Sequence, residues 1–243
     1  MDKIRIFGVE IFNINFQEAS HLIGEFLKVN KPHCIFTPNT EIVMAARKSQ
    51  ELKELINSGD LVIPDGIGLI YGSRIRKRPL KERVTGYDLS MDMIEKAVKN
   101  NYSLYFLGGR PTVAEKAADN LRKKFPEINI VGTHHGYFKG VHSDEIDHEE
   151  EKEIIEEINR LKPDIIFVGL GFPKQEKWIN YHYKELNTRI IIGNGGVLDV
   201  LAGEAKRAPD IFIKLNLEWF YRLLQNPSRL KRQMAIPKFL WAI

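Results

Sequence analysis

Two short segments, each following an apolar run, carry the side chains best suited to chemistry on a phosphorylated ligand. The first, Pro64-Asp65-Gly66-Ile67-Gly68, places one carboxylate between residues that let a substrate approach the backbone. The second runs from Gly169 and presents Lys174, Gln175 and Glu176 at the start of a predicted helix. A carboxylate can act as a general base, while lysine and amide groups can hold phosphate and hydroxyl oxygens. The two segments therefore predict a polar pocket for a phosphorylated, hydroxyl-rich ligand.

Asp65 has two interpretations. It is the strongest candidate for a catalytic base, since its neighbours Pro64 and Gly66 bring no competing charge. The alternative is structural, because an aspartate just before a helix often caps it by accepting hydrogen bonds from the first backbone N–H groups. From the residues alone, both interpretations stay open.

Further strand-to-helix junctions are polar or rich in glycine. Thr37 and Asn39 follow one apolar run and are candidates for hydrogen bonds to sugar hydroxyls. A glycine pair before another helix can receive a phosphate at the helix N-terminus. Because the carboxyl ends of parallel strands meet at one edge, where ligands bind, we expect these junctions to lie together. They give the following candidate substrate-binding residues: Asn39, Gly108, Gly109, Gly171, Lys174, Glu176, Gly195, Gly196 and Asp199.

Several named signatures are missing from the sequence. No P-loop or dinucleotide-binding glycine pattern follows a predicted strand, which argues against an ATPase and a dehydrogenase. No Asp-x-Asp triplet offers clustered carboxylates for a metal-bound diphosphate. The histidines His134, His135, His142 and His148 fit no closed zinc signature, so we interpret their segment as a solvated loop. We therefore expect neither a metal nor an organic cofactor.

Alternating strand-like and helix-like segments must position these residues. Apolar runs at 33–37, 61–63, 103–107, 128–133, 164–168 and 189–192 predict strands, with an N-terminal hairpin before them. Amphipathic segments between the runs predict helices, including one continuous helix over 40–57. Strands that are apolar throughout are typical of a parallel sheet buried on both faces. We predict an α/β fold over residues 1–205, with a mostly parallel sheet and helices on both faces.

Residues 206–243 differ from the rest, because eight Lys and Arg residues and only two acids give them a net charge of +6. Apolar residues recur with helical spacing over 209–225, and Arg222, Arg229 and Arg232 accompany the aromatic residues of this tail. Cationic and aromatic side chains on an apolar helix suit an anionic membrane surface. The alternatives are a helix packed on the core, a homo-oligomer contact, or nucleic acid, for which the basic residues are too few.

The composition fits a protein of the cytoplasm. The single cysteine, Cys34, lies in an apolar run and has no partner for an intramolecular disulfide. Charged residues interrupt the N-terminus, so no signal peptide is expected, and no apolar run reaches the roughly 20 residues that cross a bilayer. We expect a cytoplasmic protein that associates peripherally with the inner face of the membrane through its tail.

The junction residues also recur, in order, as the motifs of a known family. The motifs are Pro64-Asp65-Gly66-x-Gly68, Arg83-Val84-Thr85-Gly86, Gly169-x-Gly171-x-Pro173-Lys174-Gln175-Glu176, Gly195-Gly196-x-x-Asp199-x-x-Ala202-Gly203, Arg207-Ala208-Pro209, Leu217-Glu218-Trp219-x-x-Arg222-Leu223, Pro227, Arg229 and Arg232. With these motifs over nearly its whole length, the chain resembles the WecG/TagA/CpsF glycosyltransferases, glycosyltransferase family 26.

The resemblance implies a Rossmann-like core, a membrane-docking C-terminal appendage that completes the active site, and no metal requirement. It also implies an inverting transfer of N-acetylmannosamine from UDP to N-acetylglucosamine on undecaprenyl diphosphate, as in wall teichoic acid synthesis. Asp65 would then take the proton of the acceptor hydroxyl. Thr37, Asn39 and Gln175 would contact the sugars, with Thr37 and Gln175 in the catalytic centre, and Arg83 would contact the donor or the acceptor. The tail arginines Arg222, Arg229 and Arg232 would hold a diphosphate.

Two alternatives to this function remain. One is the same fold and mechanism with another UDP-sugar, either N-acetylmannosaminuronate or a neutral hexose, for an exopolysaccharide or an enterobacterial-type glycan. The other lies outside the enzymes: a non-catalytic membrane-surface module would use the basic tail alone. That non-catalytic alternative gives the glycine-rich junctions no role.

Overall fold

A parallel sheet forms the centre of the molecule. The computed structural model describes residues 1–227 and 230–243, but only the backbone of Arg222 and Lys231. The sheet strands are β3 (His33–Phe36), β4 (Leu61–Val62), β5 (Ser103–Gly108), β6 (Asn129–His134), β7 (Ile165–Gly169) and β8 (Ile190–Gly193). Their order across the sheet is β4-β3-β8-β7-β5-β6, and every neighbouring pair is parallel. The predicted α/β fold is therefore confirmed.

The two faces of the sheet are both covered, which explains the uninterrupted apolar runs of its strands. All residues of β5, β7 and β8 are buried. Successive side chains alternate between faces, so that Ile165 and Phe167 of β7 join one core cluster while Ile166 and Val168 join the other. Neither face of such a strand contacts solvent, as expected for a parallel sheet between two layers of helices.

The helices divide between these faces. One face packs against α1 (Phe16–Lys28), α5 (Gly86–Asn100), α6 (Val113–Lys124) and α9 (Val197–Leu201). The opposite face packs against α3 (Gln50–Asn57), α7 (Glu149–Leu161) and α8 (Lys174–His182), with a short 3-10 helix at Val141–Ser143. A third cluster joins the antiparallel hairpin β1 (Lys3–Ile6) and β2 (Val9–Phe12) to α2 (Thr40–Ala46) and α4 (Ile67–Ile75).

The single helix predicted over 40–57 is wrong. The structure has two helices there, because α2 ends at Ala46 and α3 begins at Gln50. The Ser49 hydroxyl accepts a hydrogen bond from the Leu52 N–H at 3.2 Å, and this cap starts the second helix. The break redirects the chain without a glycine or a proline.

The tail is also divided more finely than its apolar periodicity predicts. Its helices are α10 (Asp210–Lys214), α11 (Glu218–Gln225), α12 (Leu230–Gln233) and α13 (Ala235–Ala242). Asn216 adopts the left-handed backbone conformation with φ of +60°, which separates α10 from α11. Across the described ranges, no helix is both long and apolar enough to cross a membrane.

One aromatic side chain anchors the end of the tail to the core. Phe239 of α13 is fully buried and packs against α4 at Gly72. A Cβ atom on Gly72 would lie 2.4 Å from Cε1 of Phe239, so the aromatic ring occupies the space of the missing side chain. The Phe7 ring of the hairpin meets Phe239 edge-on, with 5.6 Å between ring centroids. The tail thus ends inside the third core cluster.

Replacing Phe239 by alanine is expected to release the tail from the core. Truncating a buried phenylalanine costs about 3–5 kcal/mol of stability. That loss is enough to raise the fraction of molecules in which α13 has detached from the core at least tenfold. Limited proteolysis should therefore cleave F239A within residues 206–243 at least tenfold faster than the wild type. The matched control is W241A on the same helix, because Trp241 is 93% exposed and should leave the cleavage rate unchanged. Equal cleavage of F239A and wild type would contradict this anchoring.

Candidate active site

The carboxyl ends of the strands bring the polar junctions to one edge of the sheet. Asp65 follows β4, Asn39 follows β3, and Gly195 follows β8. Since β4, β3 and β8 are neighbours, these junctions are adjacent in space although they come from distant parts of the chain. The edge that the sequence predicts as the binding edge is therefore assembled from contiguous strands.

A single pocket at this edge gathers Asp65, Asn39 and Arg83 from the α/β core with Arg232 from the tail. Its wall also contains the N-terminal turns of α2 and α4 and side chains of α11, α12 and α13. Glu41, Glu218 and Trp219 line it as well, although the sequence analysis assigned none of the three a role in the site. The pocket is thus formed jointly by the sheet edge and the tail.

Backbone contacts fix the position of Asp65. Its N–H donates to the Pro38 carbonyl at 3.2 Å, and the Val84 N–H donates to the Pro64 carbonyl at 3.1 Å. Gly66, rather than Asp65, occupies the N-cap position of α4. A Cβ on Gly66 would lie 3.0 Å from the Thr40 nitrogen, so glycine allows the two junctions to approach. The half-buried Asp65 carboxylate is placed in the pocket by this framework.

Two arginines in the pocket are held by carboxylates. Arg83 Nη2 lies 3.3 Å from Glu218 Oε2, and both side chains are largely buried, at 13% and 11% exposed. Arg232 Nε donates to both oxygens of Glu41, at 2.9 and 3.0 Å. Each pair joins the α/β core to the tail. The tail supplies the carboxylate of the first pair and the arginine of the second. The pocket therefore holds fixed cationic groups of the kind that binds phosphate oxygens.

The side chain of Asn39 has one polar group in a structural role, its Oδ1, and one that can bind a ligand, its amide NH2. Its Oδ1 accepts a hydrogen bond from the Ile42 N–H at 3.1 Å and so caps α2. The cap fixes the side chain at the mouth of the Asp65 pocket. Its amide NH2 group is the part able to donate to a ligand oxygen.

Thr37 and Gln175 form a second polar cluster beside this pocket, around the junction after β8. The Thr37 hydroxyl donates to the Gly193 carbonyl at 3.2 Å. Gln175 Oε1 accepts from the Gly195 N–H at 2.8 Å, while its Nε2 donates to Glu176 Oε1 at 2.9 Å. Neither Thr37 nor Gln175 is among the described residues lining the Asp65 pocket. In this structure their side chains hold the β8 junction in place.

Glu176 is the most unusual member of this second cluster. Only 2% of it is exposed, and burial raises the pKa of its carboxyl to about 7. Its Oε2 has no hydrogen-bond partner among the described residues, while Oε1 accepts from Gln175. The sequence predicts Glu176 as a polar ligand contact, whereas the structure buries it behind Gln175.

The other predicted site residues lie further along the same edge. Gly109 donates its N–H to the Gly169 carbonyl at 3.0 Å, which closes the β5 and β7 ends, with Gly108 beside it at the end of β5. Gly171 has φ of +76° and nothing within 4 Å of its Cβ position, so the backbone there is open. The remaining predicted residues on this edge are Lys174 and Gly196, both exposed, and Asp199, half-buried. Arg229 and the side chain of Arg222 lie outside the described residues.

The histidine-bearing segment is packed rather than fully solvated, contrary to our interpretation from sequence. His142 is buried, and both oxygens of the buried Glu151 accept the Val141 N–H at 3.0 Å. His182 Nε2 lies 3.1 Å from Glu151 Oε1. Burial alone raises the pKa of the Glu151 carboxyl, but histidine and backbone donors lower it to about 2. In the described parts of the chain, no group of three or more His, Cys, Asp or Glu residues is arranged to hold a metal ion.

Comparison with known proteins places the chain among glycosyltransferases. The model of the glycosyl transferase WecG/TagA/CpsF family matches residues 4–243. Two similar proteins are both named N-acetylglucosaminyldiphosphoundecaprenol N-acetyl-beta-D-mannosaminyltransferase. One, from Staphylococcus aureus strain MRSA252, is 37% identical over 243 residues, covering 99% of this chain and 92% of the relative. The other, from Bacillus spizizenii, is 35% identical over 225 residues, covering 93% and 84%. The chain therefore belongs to the WecG/TagA/CpsF family of glycosyltransferases.

Proposed function

We propose that the chain transfers N-acetylmannosamine from UDP to N-acetylglucosamine carried on undecaprenyl diphosphate, with inversion at the sugar. This reaction would make the linkage unit of wall teichoic acid. The proposal is supported by the names of relatives that align with 93% and 99% of the chain. It is supported independently by a pocket that gathers Asp65 with Asn39 and two arginines at the sheet edge.

That grouping of a carboxylate with cations is the observation that carries the mechanism. Asp65 takes the proton from the acceptor hydroxyl as its oxygen attacks the anomeric carbon of the donor. The bond from that carbon to the UDP oxygen breaks, and UDP leaves with the bonding electron pair. Arg83 and Arg232 offset the negative charge that develops on the diphosphate, since guanidinium groups match phosphate oxygens and stay charged.

We assign the remaining polar residues to the sugars and the diphosphate. Asn39 donates to a sugar oxygen from the pocket mouth, where its cap to α2 keeps it oriented. Thr37 and Gln175 act from the neighbouring cluster, through the β8 junction that they hold. Arg222 and Arg229 join Arg232 on the diphosphate as parts of the tail.

The tail is proposed to complete the active site and to dock on an anionic membrane surface from the cytoplasmic side. Its described helices expose large apolar side chains that have no packing partner in the core. Those that are more than half exposed are Ile211, Leu215, Leu224, Leu230 and Trp241. Combined with the net charge of +6, this exposure suits an interface that holds a lipid-linked acceptor. A second copy of the chain is the alternative occupant of the same apolar surface.

The first test is UDP release from a panel of donors, with N-acetylglucosamine on a lipid diphosphate as acceptor and EDTA present. We expect acceptor-dependent release with UDP-N-acetylmannosamine, unchanged by EDTA. The comparison donors are UDP-N-acetylmannosaminuronate and UDP-glucose. Release with one of these alone would keep the mechanism and change the sugar. Silence with every donor, even after metal is added, would favour a non-catalytic membrane-surface protein.

A further inference from the structure

A run of basic residues at the end of α4 has no part in the proposed reaction. Arg74, Arg76, Lys77 and Arg78 are all exposed, and no acidic residue occurs between Asp65 and Glu82. Within the described chain none of these four side chains forms a salt bridge, although the Arg76 guanidinium lies 5.8 Å from the Phe7 ring centroid. The surface therefore carries a concentrated positive charge that the protein itself does not neutralise.

Exposed apolar side chains flank this charge. Tyr71 and Ile75 are 41% and 58% exposed, and their spacing of four residues puts them on one face of α4. The neighbouring helix α13 packs on α4 at Gly72 and carries Trp241, which is 93% exposed. Basic and apolar side chains are thus displayed together by two helices in direct contact.

We propose that this α4 surface, made of Tyr71, Arg74, Ile75, Arg76, Lys77 and Arg78, binds the headgroups of an anionic lipid bilayer. Basic residues bind the headgroup phosphates, while the exposed aromatic and aliphatic side chains enter the boundary with the acyl chains. A nucleic acid would use the charge but leave the apolar side chains in water, so the lipid surface fits better. The inference rests on the proposed lipid-linked acceptor and adds a second contact outside the tail.

The position of this surface suits that acceptor. The basic run begins at Arg74 in the last turn of α4 and continues past its end, so about 13 Å of helix axis separates Asp65 from Arg76. The acceptor must reach from the bilayer to the Asp65 carboxylate through its diphosphate and one sugar ring. The length of that part is similar to the distance along α4. Bilayer contact through the α4 surface therefore sets the height of the catalytic pocket above the headgroups.

Vesicle co-sedimentation tests the surface directly, with phosphatidylcholine vesicles that contain or lack phosphatidylglycerol. The variant R74Q/R76Q/K77Q/R78Q should bind phosphatidylglycerol vesicles at least tenfold more weakly, since each basic residue near such a surface strengthens binding about fivefold. The matched control removes four exposed lysines that precede strands at the opposite edge: K31Q/K99Q/K123Q/K124Q. The control should bind nearly as well as wild type. Equal losses in both variants, or none in the α4 variant, would overturn the proposal, as would tighter binding of wild type to a DNA duplex.

Turnover with two acceptors separates this proposal from the proposed function. With a water-soluble short-chain acceptor, the α4 variant should match wild type; with the acceptor embedded in phosphatidylglycerol vesicles, its rate should fall at least tenfold. Equal rates of both proteins on embedded acceptor would overturn the role of the surface. If wild type uses neither acceptor, the proposed reaction fails, and the co-sedimentation result still decides whether the α4 surface binds lipid.

Discussion

Replacing Asp65 by asparagine is expected to lower acceptor-dependent UDP release by about 10²–10⁴-fold, the usual contribution of a positioned general base. Asparagine has nearly the same shape but does not accept a proton. It is also as good a helix cap as aspartate, so the substitution separates the two interpretations of this residue. The backbone bonds that place residue 65 use its N–H and the carbonyl of Pro64, and the substitution keeps both.

The control for this variant is D119N, a change of the same kind at an exposed carboxylate on α6 that pairs with Arg122 at 3.2 Å. D119N should keep full turnover, and the melting temperatures of all three proteins should agree within a few degrees. A D65N enzyme with wild-type kcat would remove Asp65 from the role of base and leave it as a structural residue. Loss of activity together with a collapsed melting temperature would point to folding instead.

Replacing Glu176 by glutamine is expected to stabilise the protein at alkaline pH and to make its free energy of unfolding less dependent on pH. Burial raises the pKa of this carboxyl from 4.5 to about 7 in the folded state. Between those values the unfolded chain releases the proton while the folded chain keeps it, so the free energy of unfolding falls as pH rises. Above pH 7 the loss reaches about 3 kcal/mol. Glutamine does not ionise, and its oxygen still accepts the hydrogen bond from Gln175.

Thermal unfolding at pH 5 and at pH 8 measures this difference. The two proteins should melt at similar temperatures at pH 5, and E176Q should melt several degrees higher at pH 8. E153Q serves as the control, because Glu153 is an exposed glutamate on α7, and it should follow the wild-type curve. If the melting temperatures of wild type and E176Q change equally between pH 5 and pH 8, ionisation of the buried Glu176 carboxyl does not destabilise the protein at alkaline pH.

The sheet could be predicted from sequence because its physical signal is local. Runs such as 103–107 and 164–168 are apolar at every position, which indicates burial on both faces without knowledge of the partners. The helix boundaries that were wrong depend on single capping residues. Ser49 redirects the chain by a side-chain cap and Asn216 by a left-handed backbone. Serine and asparagine favour caps and turns but also occur within helices, so neither residue alone marks a break in the sequence.

The pocket could be predicted only in part, for a similar reason. Asp65, Asn39 and Arg83 lie at or near strand ends, so the topology of a parallel sheet brings them together. Glu41 contacts Arg232 across 191 positions of sequence, and no local pattern predicts that pairing. Its only signal was its place in the first turn after Asn39. The raised pKa of Glu176 depends on the shell of side chains around it, which the sequence does not reveal.

The buried Arg83–Glu218 pair joins two segments that lie 135 positions apart in the chain. Loss of Glu218 leaves the Arg83 charge without this carboxylate in a largely buried place, which is costly. The tail is therefore not an interchangeable module. We therefore expect a tail transplanted from a relative to work only when it supplies a carboxylate at the position of Glu218, because that carboxylate must meet Arg83 of the α/β core.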